Sequence, residues 1–154
     1  MVKENMVIDL LKFDDLRGYE SCHLVDCIIN TIDLIGTFEM RTELVIENCI
    51  IKNLQIHSCW FKNGFILKKS IIENYVDYQM GGHNDKPIIF QMNMFVEFVN
   101  FFDCQFDNLI VLQENHFIKG TNLLGNKGQG FENKFVSGWV TERNIGRIDL
   151  EDMA

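Results

Sequence analysis

A chain of 154 residues with 47% apolar content has room for one domain with its own core, and its net charge of −8 sets it against direct binding of nucleic-acid phosphates. The acid is uneven: residues 1–47 hold ten acidic and four basic side chains, net −6, which leaves twelve and ten, net −2, for the rest. No apolar run reaches membrane-spanning length and no basic-then-apolar leader is recognisable, so a cytoplasmic protein without membrane contact is the expectation.

Residues 1–19 read as an N-terminal cap. Met6, Val7, Leu10, Leu11, Phe13 and Leu16 fall mostly on one face of a potential helix that Gly18 would end, and a short irregular strand would serve as well. Residues 20–78 carry the dominant signal, an apolar period of five. Ile46, Ile51, Ile56, Phe61, Ile66, Ile71 and Val76 fall on one grid, and Leu44, Cys49, Leu54 and Cys59 on a second grid two positions earlier. A five-residue step turns about 140° around a helix and so collects no helical face. In a flat strand it would alternate between faces. A corner inside each unit resolves the conflict: both grids then point inward, and four units close one coil of about 20 residues. Residues 79–88, with Gly81, Gly82, Asn84, Asp85 and Pro87, read as a loop inserted at one corner, and residues 89–154 as further coils and the C-terminal end. Gly120 to Gly130 reads as a second irregular loop.

The run Ile46-Glu47-Asn48-Cys49-Ile50-Ile51-Lys52-Asn53-Leu54 resembles a degenerate form of the pentapeptide-repeat family, and the pattern returns from Phe101 to Val111. About half the chain carries it clearly. The resemblance implies an all-β fold, a right-handed quadrilateral parallel β-helix. The family's small residue and Asp or Asn before the central Leu or Phe are largely replaced here by Val45, Ile50, Gln55, Trp60 and Phe65.

The chain offers little to catalysis. Cys49, Cys59 and Cys104 sit on the inward grid, and Cys22 and Cys27 one unit apart, so all five cysteines read as core fillers, with no metal or cofactor implied. His57 and Asp77, one such coil apart, would stack on successive coils as a weak surface pair without a third partner. No phosphate-binding glycine loop or nucleophile elbow is present, and the chain is not expected to be an enzyme. The surface says more. Val45, Trp60, Phe65, Leu67, Tyr75 and Tyr78 fall on outward positions of the grid, an apolar and aromatic patch of the kind that marks a contact surface. The expected function is a non-catalytic solenoid acting as a protein–protein interaction or scaffold module, with another protein or a second copy as partner. The alternative, also implied by the resemblance, is an acidic rod that mimics DNA and inhibits or protects a type II topoisomerase. Against it, residues 48–72 carry Lys52, Lys62, Lys68 and Lys69 and no acid.

Overall fold

The computed structural model describes residues 1–151; the last three residues of the expected 89–154 segment lie outside the described residues. The chain winds as a β-solenoid. Its first face is a seven-stranded parallel sheet of Val2–Glu4, Ser21–Val25, Glu43–Glu47, Phe65–Lys68, Ile88–Gln91, Ile110–Gln113 and Trp139–Glu142. Val2, His23, Val45, Ile66, Ile89, Val111 and Val140 stand in register. A 22-residue coil therefore recurs to within one residue, as between Asp26 and Asn48, until the last coil, which is several residues longer. The second face begins as Val7–Lys12, Ile28–Asp33 and Ile50–Gln55, continues as the split pairs Ile71–Ile72 with Val76–Asp77 and Met94–Phe95 with Val99–Asn100, and ends at His116–Phe117. A third face is held by single bridges, Met40 to Phe61 and Gly82 to Gln105, and by the pair Gln105–Phe106 and Lys134–Phe135.

The coil is longer than four pentapeptides for a local reason. Leu44, Ile46, Cys49, Ile51, Leu54, Ile56, Cys59 and Phe61 keep the five-residue spacing, and all are buried. The next core residue is Phe65, four positions after Phe61 instead of three, because the chain spends one more residue to return to the first face; Gly64, with φ of 91°, makes that bend. The same four-residue gap separates Met40 from Leu44 and Phe106 from Ile110. A further extra residue between Ile72 and Val76, and between Phe95 and Val99, splits the later strands of the second face.

Each coil turns from the first face to the second through a residue in the left-handed region: Asn5, Asp26, Asn48, Lys69, Met92, Glu114 and Arg143, with φ between 52° and 57°. From the third coil onward, the side chain that follows points inward and accepts a hydrogen bond from the backbone of the coil before. Cys49 Sγ accepts from the Cys27 N–H (3.4 Å), Ser70 Oγ from Cys49 (3.0 Å), Asn93 Oδ1 from Ser70 (3.0 Å), Asn115 Oδ1 from Asn93 (3.1 Å) and Asn144 Oδ1 from Asn115 (3.0 Å). This ladder satisfies amides that the corner would otherwise leave buried and unpaired. Phenylalanines stack between coils: Phe95 on Phe117 at 5.0 Å and Phe106 on Phe135 at 5.7 Å.

The structure decides between the two alternatives at the N-terminus and corrects one expectation further along the chain. The N-terminal segment forms two strands and a single helical turn, Phe13–Leu16, in place of a longer helix; Leu11 and Leu16 are buried, whereas Val7 and Leu10 point to solvent. Strand pairing with the second coil, Val7 to Ile28 and Leu11 to Ile32, overrides the helical spacing. Residues 79–88 do not bulge from the rod. His83 N–H donates to the Gln105 carbonyl and Asp85 N–H to the Lys62 carbonyl, so the segment is an ordinary part of the third face. The insertion is the Gly120–Gly130 region, which lengthens the last coil and is pinned by Leu150 N–H donating to the Thr121 carbonyl.

Candidate functional site

The expected outward patch is dispersed. Phe65, Leu67 and Tyr78 are buried in the core: the extra residue before Phe65 turns Phe65 and Leu67 inward, and the second extra residue, between Ile72 and Val76, turns Tyr78 inward in place of Tyr75. Phe65 stacks on Phe61 at 4.4 Å, and the Tyr78 hydroxyl accepts from the Gly82 N–H (3.3 Å), its own ionisation pushed well up by burial. The other three lie on three different faces. Val45 is on the first face, nearly covered, in an outward row whose neighbours carry the Glu47–Lys68 ion pair at 3.6 Å. Trp60 is on the third face with Phe38 at 5.0 Å, His83 at 4.1 Å and the Lys62 ammonium at 5.8 Å, and its indole N–H donates to the Met80 carbonyl. Tyr75 is exposed on the second face, and its hydroxyl accepts from Asn100 Nδ2 at 2.8 Å.

His57 and Asp77 do not stack as a pair. A 22-residue coil sets Asp77 against Gln55 and carries His57 past it, so Ser58 N–H donates to the Gln79 carbonyl. Both side chains line a groove of about 210 Å³ with Tyr75, but His57 Nδ1 meets Ser58 Oγ (3.3 Å) and Asp77 Oδ1 accepts from the Gln79 N–H (3.1 Å). No three His, Cys, Asp or Glu side chains converge as a metal site would among the described residues. All five cysteines are free and buried; loss of solvation pushes the Cys49 thiol up to about 11 and the Cys22, Cys59 and Cys104 thiols up as well.

The feature that sequence spacing missed is a row of exposed aliphatic side chains on the second face. Val7, Ile28, Ile50, Ile71, Met94, His116 and Ile145 stand in register, one per coil, from end to end of the rod. Exposure is 80% at Val7, 56% at Ile28, 40% at Ile50 and Ile71, 38% at Met94 and 63% at Ile145. Parallel pairing at about 4.8 Å per coil makes this a straight ladder of roughly 29 Å. Beside it, between the ladder and the left-handed corner residues, run two open grooves of about 330 and 390 Å³. Met92 and Ile118, both exposed, widen the apolar strip at its C-terminal half. Strand propensity alone favours β-branched residues here, yet a polar β-branched residue such as Thr would satisfy it equally. The signal was present in the sequence: with the longer coil known, residues 28, 50 and 71 fall into line, but the four-pentapeptide period put them out of phase.

Among the described residues, acidic side chains form no comparable row. The corner row alternates sign through Asp26, Lys69, Glu114 and Arg143, and the row beyond the ladder runs Asp9, Asn30, Lys52, Glu73. No described helix is long and apolar enough to cross a membrane. Compared with protein families, characterised proteins and solved structures, the chain shows no match in any of the three.

Proposed function

We propose that the protein is a non-catalytic solenoid scaffold that engages another protein through the aliphatic ladder of its second face. The observation that carries this reading is the ladder itself: six exposed aliphatic side chains and one histidine in unbroken register, on a surface where single exposed apolar residues are ordinary and a continuous strip is not. The five-residue inward step from Leu44 to Phe61 supports placing the fold near the pentapeptide-repeat proteins. Five unpaired, buried thiols fit a reducing compartment such as the cytoplasm.

The test is the triple variant Ile28→Thr, Ile50→Thr, Ile71→Thr, which keeps β-branching and removes most of the apolar surface at the centre of the ladder. The expected result is a melting temperature within about 3 °C of the parent and loss of the host proteins captured by the immobilised parent chain. A large drop in melting temperature with an unchanged capture profile would show that the ladder serves the fold and not a partner. The acidic-mimic reading keeps only the N-terminal charge, net −6 over residues 1–47. Its test is salt-sensitive inhibition of a type II topoisomerase.

A further inference from the structure

We propose that the occupant of the ladder is a second copy of this chain, laid face to face with its rod axis parallel to the first, the two related by a two-fold axis along the rod. The inference rests on the ladder being a contact surface and adds the identity of its partner.

Pitch selects the partner. The ladder repeats every ~4.8 Å. An α-helix laid along it repeats every 5.4 Å and drifts by about 0.6 Å per rung, so that after about four rungs it is fully out of step. A single extended strand presents side chains to one side every ~6.6 Å and fails sooner. A second copy has the same pitch at every level. Area agrees: the ladder with Met92 and Ile118 exposes roughly 700 Å², close to the ~800 Å² each partner buries in a standard interface.

Charge selects the direction. With the two-fold axis along the rod, each level faces its own counterpart, and the corner row of one copy lies over the row beyond the ladder in the other. Lys69 then faces Glu73 in both halves, and Met92 faces Val96. Asn5 faces Asp9, Asp26 faces Asn30, Asn48 faces Lys52 and Glu114 faces Ile118, so no like charges meet at these levels. Only the last level sets like charges together, Arg143 against Arg147, and each already holds a carboxylate of its own chain, Glu114 at 2.8 Å and Asp149 at 3.1 Å. Antiparallel rods centred on Ile71 would set Lys69 and Glu73 each against itself at the middle of the interface and Asp26 against Glu114 further out, repulsions that the Asp9–Arg147 attraction at the ends offsets only in part.

The experiment combines mass and cross-linking. Light scattering of the unmodified chain should give twice the 18.0 kDa chain mass at micromolar concentration. Ile28→Cys, Ile50→Cys and Ile71→Cys, made singly, should each form an intermolecular disulfide with their own counterpart, against a background of five buried native thiols. Lys69→Glu should weaken the dimer about tenfold, and Lys69→Glu with Glu73→Lys should restore it. A monomer at 100 µM without cross-linking overturns the proposal, and so does cross-linking confined to one rung, which is the mark of antiparallel rods. A monomeric chain whose Thr variant still loses a captured protein removes the second copy and leaves the scaffold reading standing.

Discussion

Replacing Asn115 by Ala tests whether the polar corner ladder holds the coils together. Its side chain is fully buried and makes four hydrogen bonds: Oδ1 accepts from the Asn93 N–H and Asn93 Nδ2, both at 3.1 Å, and Nδ2 donates to the Phe90 carbonyl (2.8 Å) and Asn144 Oδ1 (3.1 Å). Alanine leaves the Asn93 N–H buried without a partner, a loss of about 2 kcal/mol, and removes neutral bonds with a net value near ~1 kcal/mol. Asn93 Nδ2 keeps its bond to the Leu67 carbonyl at 2.8 Å and adds little. The sum, about 3 kcal/mol, corresponds to a fall in melting temperature of roughly 6–12 °C for a chain of this size. Urea titration should be followed by backbone circular dichroism and by tryptophan emission together, because Trp60 and Trp139 report different coils and a solenoid loses cooperativity where an inter-coil contact is cut. The control is Cys49→Ser, which places at one level of the ladder the residue that already serves at the next, Ser70, and should change stability by less than about 1 kcal/mol. Equal losses for Asn115→Ala and Cys49→Ser, or a loss below about 1 kcal/mol for Asn115→Ala, would refute the ladder's role.

Two further outcomes follow from the core. Phe65→Ala should destabilise by about 3–5 kcal/mol and Ile66→Ala by about 1 kcal/mol, the reverse of what an unbroken five-residue grid implies; comparable urea midpoints for the two would put the phase shift in error. Alkaline pH should unfold the chain early. Folding raises the Cys49 pKa from 9.0 to about 11 by burial, so its contribution is complete below pH 9 and is lost as pH climbs through 11. Urea midpoints at pH 8, 9.5 and 11 should fall accordingly, with a shallower slope in Cys49→Ser; a flat profile would mean that the thiols ionise as freely as in the unfolded chain.

The solenoid was legible because one full coil, Leu44 to Phe61, repeats without interruption. The surface was not, and the reason is arithmetic on a fold with two-residue alternation. A single added residue at the Gly64 bend exchanges inside for outside, so Phe65 and Leu67 turned inward while Ile66 and Ile71 turned out. His57 and Asp77 were separated by that slip together with the second one, between Ile72 and Val76. Corner residues carry little sequence signal of their own: Asp26, Lys69, Met92 and Glu114 share a backbone conformation that glycine or asparagine normally announces. Nothing in their identities marks the turn. Of the two forms open to the N-terminal cap, helix or short strand, tertiary pairing decided mostly for strand, since the second coil offers Val7–Lys12 a strand to join.

The bend at Gly64 also bears on how such a chain tolerates change. Each coil takes its alignment from the strand beneath it and not from a count of residues along the chain, so a length error made in one turn is cancelled at the next rung. Coils that differ in length by a residue or two therefore lie on one another in register. Even the longer final turn returns Ile145 to the line begun at Val7. A rod built this way can gain or lose material at its corners while its outer face stays straight, and adding a whole turn would lengthen that face by one equal increment.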